Sequence, residues 1–500
     1  GVLVQRDNRG VNILELDNEK LKEIKEAVKS GNIKLYQLEE YIFETLFNSD
    51  AEQFKQAVET AENLRAEIIE EELGTTLDKI KDSDKYKEKD FINTSKLKEG
   101  NIVKGTELKI GTAKIPLSIA GPVKIKTNNF ENSFYVPIAT NEAALIAGLN
   151  RGFKATNQSD GIKTSVTYNG MTRAPLLEAN DIYNAQKFAN SINDGKYNQL
   201  FERVVKENAE YSSFMDAKAF QIQNKIWLRL KFNTGEAMGM NSAVKYTTLI
   251  MKELLDQNKH PENKDIKLIA LSGNLCCDKK SASINITEGR GYKAEATIII
   301  SKEKIKEIFN TTPEKIIKLN FWKNHFGSSL AGSVTGLNAN AANTIAAIFA
   351  ATGQDLAQVV ESSTCYTFAA PVPEKQCENL GYEKGALKFS VTLPCLEIGT
   401  IGGGTQFGTA KEAINTIFAL ITKELANTNN ANKDELLIED LNKYINHEGT
   451  KNPKSIIFAQ VIAAAVLSQE LNLLAVLANE YALCNCHMAL ARGEVESERE

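Results

Sequence analysis

Residues 456–478 form the most apolar helical stretch of the chain, and they limit the folds that it can adopt. Five polar residues interrupt the stretch: Gln460, Ser468, Gln469, Glu470 and Asn472. A membrane-spanning helix needs about 20 consecutive, predominantly apolar residues. The interrupted pattern therefore predicts a helix buried in a globular core. No segment has the pattern of a signal peptide, and a membrane anchor upstream of residue 1 would lie outside this sequence.

Length, charge and cysteine content reduce the number of protein classes to which the chain could belong. A chain of 500 residues is too long for one core, so we expect two or three domains. Its net charge of −5 argues against nucleic-acid binding as the main function. The seven cysteines are irregularly spaced, which favours a reducing compartment over a disulfide framework. We therefore expect a cytoplasmic protein.

Changes in residue pattern along the sequence predict three domains and an α+β fold class. Residues 1–106 carry amphipathic helices near 18–28, 35–46 and 51–73, followed by a solvated connection over 76–100. Residues 107–173 and 271–500 predict a large α/β domain. Its predicted elements are strands near 114–123, 134–139 and 387–393, an alanine-rich helix over 337–352, and the buried helix 456–478.

Residues 174–270 predict a small α+β domain inserted into the large one. They hold charged amphipathic helices near 179–210 and 244–257, and strands near 218–233 and 266–271.

Two glycine-rich segments are candidate ligand sites. The usual dinucleotide fingerprint is absent, because Gly289-Arg290-Gly291 lacks the third glycine and precedes a strand. The run Gly402–Gly404 lies between a strand and a helix. It either presents backbone N–H groups to an anion or makes a tight turn. The segment 235–241 opens a helix and has the same two interpretations.

Candidate acids and bases are few. A helix of small residues begins near Glu142, with Thr140 or Asn141 as its predicted N-cap. A carboxylate partly buried there suits a proton donor, and the alternative is simple complementation of the helix dipole. Asp355 follows the alanine-rich helix, where a carboxylate is costly unless it is paired. Lys279 is a suitable partner, in either a catalytic or a purely structural ion pair.

The four histidines leave little room for metal chemistry. His260 and His447 fall in polar loops and are predicted at the surface. His487 follows Cys484 and Cys486 near the end of the chain. Because no second pair of ligands has zinc-like spacing, no metal site is predicted.

Six motifs, in order over residues 107–487, resemble the 3-hydroxy-3-methylglutaryl-CoA (HMG-CoA) reductase family, in the class found in eukaryotes and archaea. The motifs are PIATNEAALIAGLNRG, NGMTRAP, TGEAMGMN, LSGNLCCDKKSASINITEGRG, NANAANTIAAIFAATGQDLAQVVESS and EIGTIGGGT. The resemblance implies reduction of HMG-CoA to mevalonate and CoA with two NADPH. It also implies a ferredoxin-like NADP(H)-binding insertion at 174–270, and a homodimer or homotetramer whose subunits share active sites.

The resemblance also implies roles for individual residues. Lys279 matches the lysine that stabilises the oxyanion, and Asp355 the aspartate that tunes protonation. Glu142 matches the proton donor, and His487 the histidine that protonates the CoA thiolate. Six positions match substrate-binding residues: Arg151, Ser272, Asp278, Lys280, Lys323 and Asn343. Eight match cofactor-binding segments: Glu236, Met238, Gly239, Met240, Asn241, Gly402, Gly403 and Gly404.

The chain departs from the family pattern at several positions. Ser165 occupies the place of a substrate-binding arginine, with Lys163 two residues earlier, and Asn340 replaces a histidine. The usual Thr-Gly-Asp becomes Thr-Gly-Glu at Glu236. These departures motivate an alternative hypothesis, an acyl-CoA-binding protein with weakened catalysis. A third hypothesis is a structural α/β protein whose buried charges form only ion pairs.

Overall fold

The structure, a computed structural model, describes residues 4–6, 12–14, 18–46, 51–78, 92–93, 103–104, 114–128, 130–429, 441, 451–479 and 482. It divides into two compact units, residues 1–90 and 91–500. The mixture of helix and sheet confirms the α+β class predicted from the sequence. Most of the predicted connection 76–100 lies outside the described residues.

The first unit is helical. Its helices are Asn18–Lys29, Leu38–Leu46 and Ala51–Leu73, close to the predicted ranges. Strand β1 (Val4–Arg6) pairs antiparallel with β2 (Asn12–Leu14). Apolar residues at helical spacing meet in one core: Ile24, Leu38, Ile42, Ala61, Leu64 and Ile68. Burial of these side chains is what holds such short helices in place.

The second unit is built on an eleven-stranded, largely antiparallel sheet, beside a two-stranded pair of β3 (Ile92–Asn93) with β4 (Val103–Lys104). The large sheet contains β5 (Leu117–Lys126), β6 (Glu131–Ala139), β7 (Ile162–Arg173), β8 (Leu176–Ala179), β9 (Ser213–Ile222), β10 (Lys225–Asn233), β11 (Ile266–Ala270), β12 (Gly291–Ile300), β13 (Gly336–Leu337), β14 (Cys365–Pro371) and β15 (Leu387–Leu396). The main order is β11-β8-β10-β7-β12-β15-β14-β13, with β9 beside β10, β5 beside β7 and β6 beside β5.

Strand β7 connects the two halves of this sheet. Residues 163–170 pair with β12, and residues 171–173 pair with β10. The helices around the sheet are Leu145–Asn157, Ile182–Asn193, Asn198–Asn208, Met240–Leu254, Ser283–Thr287, Lys302–Phe309, Pro313–Leu319, the π-helix Asn320–Gly327, Ser328–Leu330, Ala341–Thr352, Val359–Ser362, Glu374–Asn379, Gly408–Asn429 and Pro453–Leu477.

The second unit has two hydrophobic cores of unequal size. The smaller one is formed by buried residues between Leu177 and Ile266, all of them inside the predicted insertion 174–270. The larger one joins β5, β6, the first half of β7, β12 and β15 to the helices packed on them. A separate core is a requirement for an inserted domain, and the boundaries 174–270 stay a prediction.

The central helix, Pro453–Leu477, is the buried helix predicted from the apolar stretch. It is long and apolar enough to cross a membrane, but 94% of its most apolar window is buried inside the structure. Gly148 and Gly152 of the helix Leu145–Asn157 allow it to approach closely. A Cβ on Gly152 would lie 2.2 Å from the carbonyl oxygen of Ser468, and one on Gly148 would lie 2.5 Å from the amide of Asn472.

Three local expectations were wrong. The helix after Glu142 begins at Leu145 with Ala144 at its N-cap, because Thr140 Oγ1 accepts the N–H of Glu142 in a preceding turn. The strand predicted near 218–233 is the β9–β10 hairpin, which reverses at Gln223, a residue with φ of 56°. The helix predicted over 179–210 breaks at Gly195, whose φ of 76° is left-handed.

Candidate active site

The loop between β11 and the helix Ser283–Thr287 carries four of the predicted site residues, and the neighbouring strands hold its backbone. Trp227 Nε1 donates to the carbonyl of Gly273 over 2.9 Å. Thr172 Oγ1 donates to the carbonyl of Cys276 over 3.0 Å, and buried Arg229 donates to that of Leu275. Fixed in this way, the loop presents Lys279 from a defined backbone.

Lys279 and Asp355 meet across the site. Lys279 Nζ lies 3.1 Å from Asp355 Oδ2, and the two side chains are 44% and 35% exposed. Asp355 begins a 3-10 turn and accepts the N–H of Ala357. An ion pair this exposed contributes little to stability, on the order of 0–1 kcal/mol. Its accessibility suits contact with a ligand better than a purely structural role.

Glu142 has a different side-chain partner, Asn343. Its side chain is exposed, which corrects the expectation of partial burial; the cause is the turn that keeps it ahead of the helix. Asn343 Nδ2 donates to Glu142 Oε1 over 3.2 Å. Within the described part of the chain, no ion pair joins Glu142 to Lys279. The structure thus groups the predicted residues as Lys279 with Asp355, and Glu142 with Asn343.

A buried charge cluster lies directly beneath the loop. We call Arg290, Asp278, Glu361 and Glu397 the Arg290 cluster. The Arg290 guanidinium is fully buried; Nη1 lies 2.8 Å from Glu361 Oε1 and also contacts Glu397, while Nη2 lies 3.1 Å from Asp278 Oδ1. The backbone N–H of Lys279 donates to Glu361 Oε1 over 2.7 Å. The cluster therefore includes the side chain of Asp278 and contacts the backbone of Lys279.

The cluster is strongly coupled electrostatically. Burial raises the pKa of Glu397 well above its ordinary value and also raises that of Glu361. Burial by itself lowers the pKa of Arg290, but Glu397, Asp278 and Glu361 raise it above its usual value. Burial also works to raise the pKa of Asp278, yet hydrogen bonding by Gln358 and the charge of Arg290 lower it. Arg290 is thus protonated and Asp278 ionised.

Sequence reasoning missed Arg290, Glu361 and Glu397 as site residues. A usable signal was present for Glu397, which interrupts the apolar run Cys395–Ile398; Glu361 directly follows Val359-Val360, a weaker signal. A charge in an apolar run must be buried with a partner. Arg290 was considered only as part of an incomplete glycine fingerprint.

The two candidate cofactor segments are neighbours in space. Ala237 and Ile401 form a parallel β-bridge, and the N–H of Thr400 donates to the carbonyl of Glu236 over 2.8 Å. Gly404 also touches the turn before Asp355, because a Cβ on Gly404 would lie 2.5 Å from the carbonyl oxygen of Gly353. These contacts bring the glycine run, the segment 236–241 and the Asp355 turn together.

Glu236 anchors the start of the central helix. Its carboxylate accepts the N–H groups of Lys454 and Ser455, each over 2.8 Å, and the hydroxyls of Ser455 and Thr400. Burial raises the pKa of Glu236, and these hydrogen bonds offset part of that rise. Protein donors therefore already satisfy this carboxylate.

The remaining predicted residues are spread over several elements. Arg151 is exposed on the helix Leu145–Asn157, and Lys323 is half-buried on the π-helix. Lys280 Nζ donates to the carbonyl of Asp278, and Ser272 lies beside Cys276. Met240 Sδ contacts Arg290, and Met238 borders Gly399. The N-cap residue Gly239, with φ of 94°, and Asn241 open the helix Met240–Leu254. His487, Cys484 and Cys486 lie outside the described residues.

Comparisons with known proteins place this site in the class of the oxidoreductases. The family model of hydroxymethylglutaryl-coenzyme A reductase matches residues 61–492. The 3-hydroxy-3-methylglutaryl-coenzyme A reductase of Pyrococcus abyssi is 35% identical over 475 residues, covering 94% of this chain and all of that protein. The enzyme of Aeropyrum pernix is 39% identical and covers 77% of this chain and 81% of that protein.

A solved structure shares the fold. It is the class II reductase of Streptococcus pneumoniae bound to NADPH, with a TM-score of 0.52 and 16% identity, covering 83% of this chain and 96% of that one. This chain belongs to the hydroxymethylglutaryl-coenzyme A reductase family. Its activity is the NADPH-dependent reduction of HMG-CoA, which confirms the predicted oxidoreductase class, substrate and cofactor.

Proposed function

We propose that Lys279, Asp355, Glu142 and His487 carry the chemistry of HMG-CoA reduction in this protein. The carrying observation is the 3.1 Å contact between Lys279 and Asp355, open to solvent where three loops meet. NADPH supplies the hydride. As the substrate carbonyl carbon accepts it, negative charge grows on oxygen, and the Lys279 ammonium stabilises that charge. Asp355 holds Lys279 in place, and its carboxylate balances the positive charge of the Lys279 ammonium.

Proton transfer falls to the other two residues. Glu142, oriented by Asn343 over 3.2 Å, gives a proton to the reduced oxygen. The first hydride would convert the thioester into a hemithioacetal, whose C–S bond breaks to give an aldehyde and the CoA thiolate. His487 protonates this thiolate, and a second hydride would reduce the aldehyde to the alcohol. The anionic groups of the substrate fit the cations on the same loops, Lys280, Arg151 and Lys323, since ammonium and guanidinium groups bind carboxylates well. Ser272, Asp278 and Asn343 supply further polar contacts.

The glycine run fits a phosphate-bearing cofactor. At Gly402 and Gly403 no atom of a described residue, other than the chain neighbours, lies within 4 Å of the position of a Cβ, so the backbone has space on that side. Backbone N–H groups ahead of a helix favour anions. We assign NADPH binding to this run, to the segment 236–241 and to the insertion 174–270. The separate core of the insertion supports its role as a cofactor-binding domain.

We also propose that the protein forms a homodimer, or a tetramer built from dimers, in which the subunits share active sites. Support comes from an exposed apolar patch formed by Phe321, Trp322, Phe326 and Leu330, which are 52–82% exposed. Contiguous apolar surface on a soluble protein marks an interaction site. Lys323 lies within the same helical stretch, so a partner covering the patch would reach a substrate-binding position.

A cytoplasmic location is also part of the proposal. The described residues include five cysteines, all of them free and buried. Unpaired thiols at such positions are typical of a reducing compartment.

The test is oxidation of NADPH in the presence of HMG-CoA by the purified protein and by Lys279→Ala. We expect the substitution to lower kcat about 100- to 1,000-fold or more, because the oxyanion loses its cation. Lys375→Ala, at an exposed position away from the site, is the matched control and keeps full turnover. Unchanged turnover in Lys279→Ala would contradict the assigned role.

A further inference from the structure

Lys279 has an unfavourable backbone conformation. Its φ is 58°, in the left-handed region, and two other non-glycine residues of the same loop share it: Asn274 at 66° and Cys277 at 56°. Lysine rarely adopts a positive φ, so contacts around the residue must stabilise it. Three such residues within a short loop indicate that the surrounding structure, rather than local preference, decides the backbone there.

The Arg290 cluster supplies contacts on both sides of this residue. On one side, Arg290 Nη2 and Gln358 Nε2 donate to the side chain of Asp278, over 3.1 and 2.8 Å. On the other, Glu361 Oε1 accepts the backbone N–H of Lys279 over 2.7 Å. Glu361 is itself fixed by Arg290 Nη1 at 2.8 Å, and both side chains are fully buried. A buried, charge-assisted network of this kind is rigid.

We propose that Arg290 and Glu361 are positioning residues, which hold Lys279 in its left-handed backbone conformation and thereby aim its ammonium at Asp355 and the substrate carbonyl. This inference rests on the role of Lys279 in the proposed function. Neither residue reaches the solvent-exposed side of the site, so each acts through Lys279. Glu361 is the direct anchor, and Arg290 fixes Glu361 and Asp278 together.

The same guanidinium also reaches the cofactor side. Arg290 Nη2 lies 2.8 Å from the sulfur of Met240, the first residue of the helix that follows the segment 236–239. Arg290 Nη1 contacts Glu397, two residues before Gly399, which packs on Met238. Arg290 therefore links the lysine loop to Met240 of the segment 236–241 and to Glu397, which precedes the glycine run.

Two variants of Glu361 separate a backbone anchor from a general structural role. Glu361→Leu removes the acceptor of the Lys279 N–H, whereas Glu361→Gln retains a carbonyl oxygen at the same place. Both are compared with wild type and with Glu378→Leu, a change at an exposed position. The measurements are amide hydrogen exchange in peptides covering 276–282, and kcat and KM for HMG-CoA with the NADPH affinity.

In Glu361→Leu we expect exchange within 276–282 to become about 10- to 100-fold faster, and kcat to fall about 10- to 100-fold, the effect of losing one hydrogen bond to a charged group. NADPH affinity and exchange in the core of 174–270 stay as in wild type. Glu361→Gln retains at least ten-fold more kcat than Glu361→Leu, because it rescues the anchor.

Three results would overturn the inference. They are wild-type exchange within 276–282 in Glu361→Leu, equal losses in the Gln and Leu variants, and faster exchange throughout the protein in Glu361→Leu. The exchange arm needs no turnover. If the wild-type protein fails to oxidise NADPH with HMG-CoA, the proposed function fails, while the exchange data still decide whether Glu361 anchors Lys279.

Discussion

Buried charged residues fix backbone segments in this protein. Glu470, in the middle of the apolar central helix, accepts the N–H groups of Ala339 and Asn340 over 2.8 and 2.7 Å. It thereby orients the start of the alanine-rich helix, which carries Asn343 and ends just before Asp355. Glu236 does the same for the central helix. A carboxylate is costly to bury, and these are retained because each satisfies donors that no helix can satisfy internally.

The two buried carboxyl groups of the Arg290 cluster make stability depend on pH. Burial raises the pKa of Glu397 well above the ordinary value, so the folded state holds its proton more tightly than the unfolded state does. The resulting stabilisation is complete below the unfolded pKa, about 4.5, and is lost as the pH rises through the folded pKa. The side chain introduced by Glu397→Gln cannot ionise, so this variant does not lose that stabilisation as the pH rises.

We therefore expect the free energy of unfolding of wild type, minus that of Glu397→Gln, to fall by about 1–3 kcal/mol between roughly pH 5 and pH 8. Denaturant unfolding of both proteins at the two pH values measures it, with Glu378→Gln at an exposed position as the control. A difference that stays constant or rises with pH would show that Glu397 is ionised in the folded protein.

At the scale of elements, close backbone approach decides how the helices pack. The helix Leu145–Asn157 lies against the central helix through Gly148 and Gly152, one turn apart. At Gly152 a methyl group would meet the backbone of Ser468 at 2.2 Å, whereas at Gly148 it would meet the ends of two side chains, Asn472 at 2.5 Å and Gln469 at 3.2 Å. A backbone cannot move aside without shifting a helix, but a side chain can change rotamer.

This pair of glycines gives a matched test. Gly152→Ala should destabilise the protein by about 1–3 kcal/mol through overpacking. Gly148→Ala should cost less, because the ends of the Asn472 and Gln469 side chains can change rotamer. The gain of about 1 kcal/mol in helix propensity is common to both variants. Thermal unfolding of the two variants compares them directly. Equal effects would mean that the helices separate easily at Ser468.

Some of these elements were predicted from the sequence, and others were not. The amphipathic helices of the first unit, the alanine-rich helix and the central helix were predicted well because their patterns are local and long. The hairpin at Gln223 and the break at Gly195 were missed, since each depends on one residue adopting a left-handed backbone. The turn before Leu145 was missed because the hydroxyl of Thr140 serves that turn instead of a helix N-terminus.

At the scale of the whole molecule, the apolar patch predicts assembly. Leu330 is 82% exposed and Phe326 is 53% exposed, on the helical stretch that also carries Lys323. Leaving such side chains in water is unfavourable, at about 25 cal/mol for each Å² of apolar surface. A second copy of the chain is the proposed partner, and it would complete active sites as well as cover the patch.

Leu330→Glu should therefore convert the protein from dimer or tetramer to monomer and lower its turnover, because a charge cannot be buried unpaired in the interface. Light scattering with size-exclusion chromatography measures the mass, and the NADPH assay measures turnover. Tyr183→Glu, at a residue that is 76% exposed on another helix, is the control. A Leu330→Glu protein with unchanged mass and activity would exclude the patch as the subunit interface.

The sequence by itself determined the α+β class, the buried central helix, the family and the residue types of the candidate site, because these depend on local periodicity and on motifs that survive in order along the chain. The sequence offered Lys279 as a partner for Asp355, and the tertiary structure forms that pair. Only the tertiary structure showed that Asn343 is the side-chain partner of Glu142, and that Arg290 lies beneath the loop with Glu361 and Glu397. The contact between Lys279 and Glu361 spans 82 positions in sequence, and no local pattern encodes it. Such contacts arise because a buried charge must find its partner within the folded core, wherever the chain supplies one.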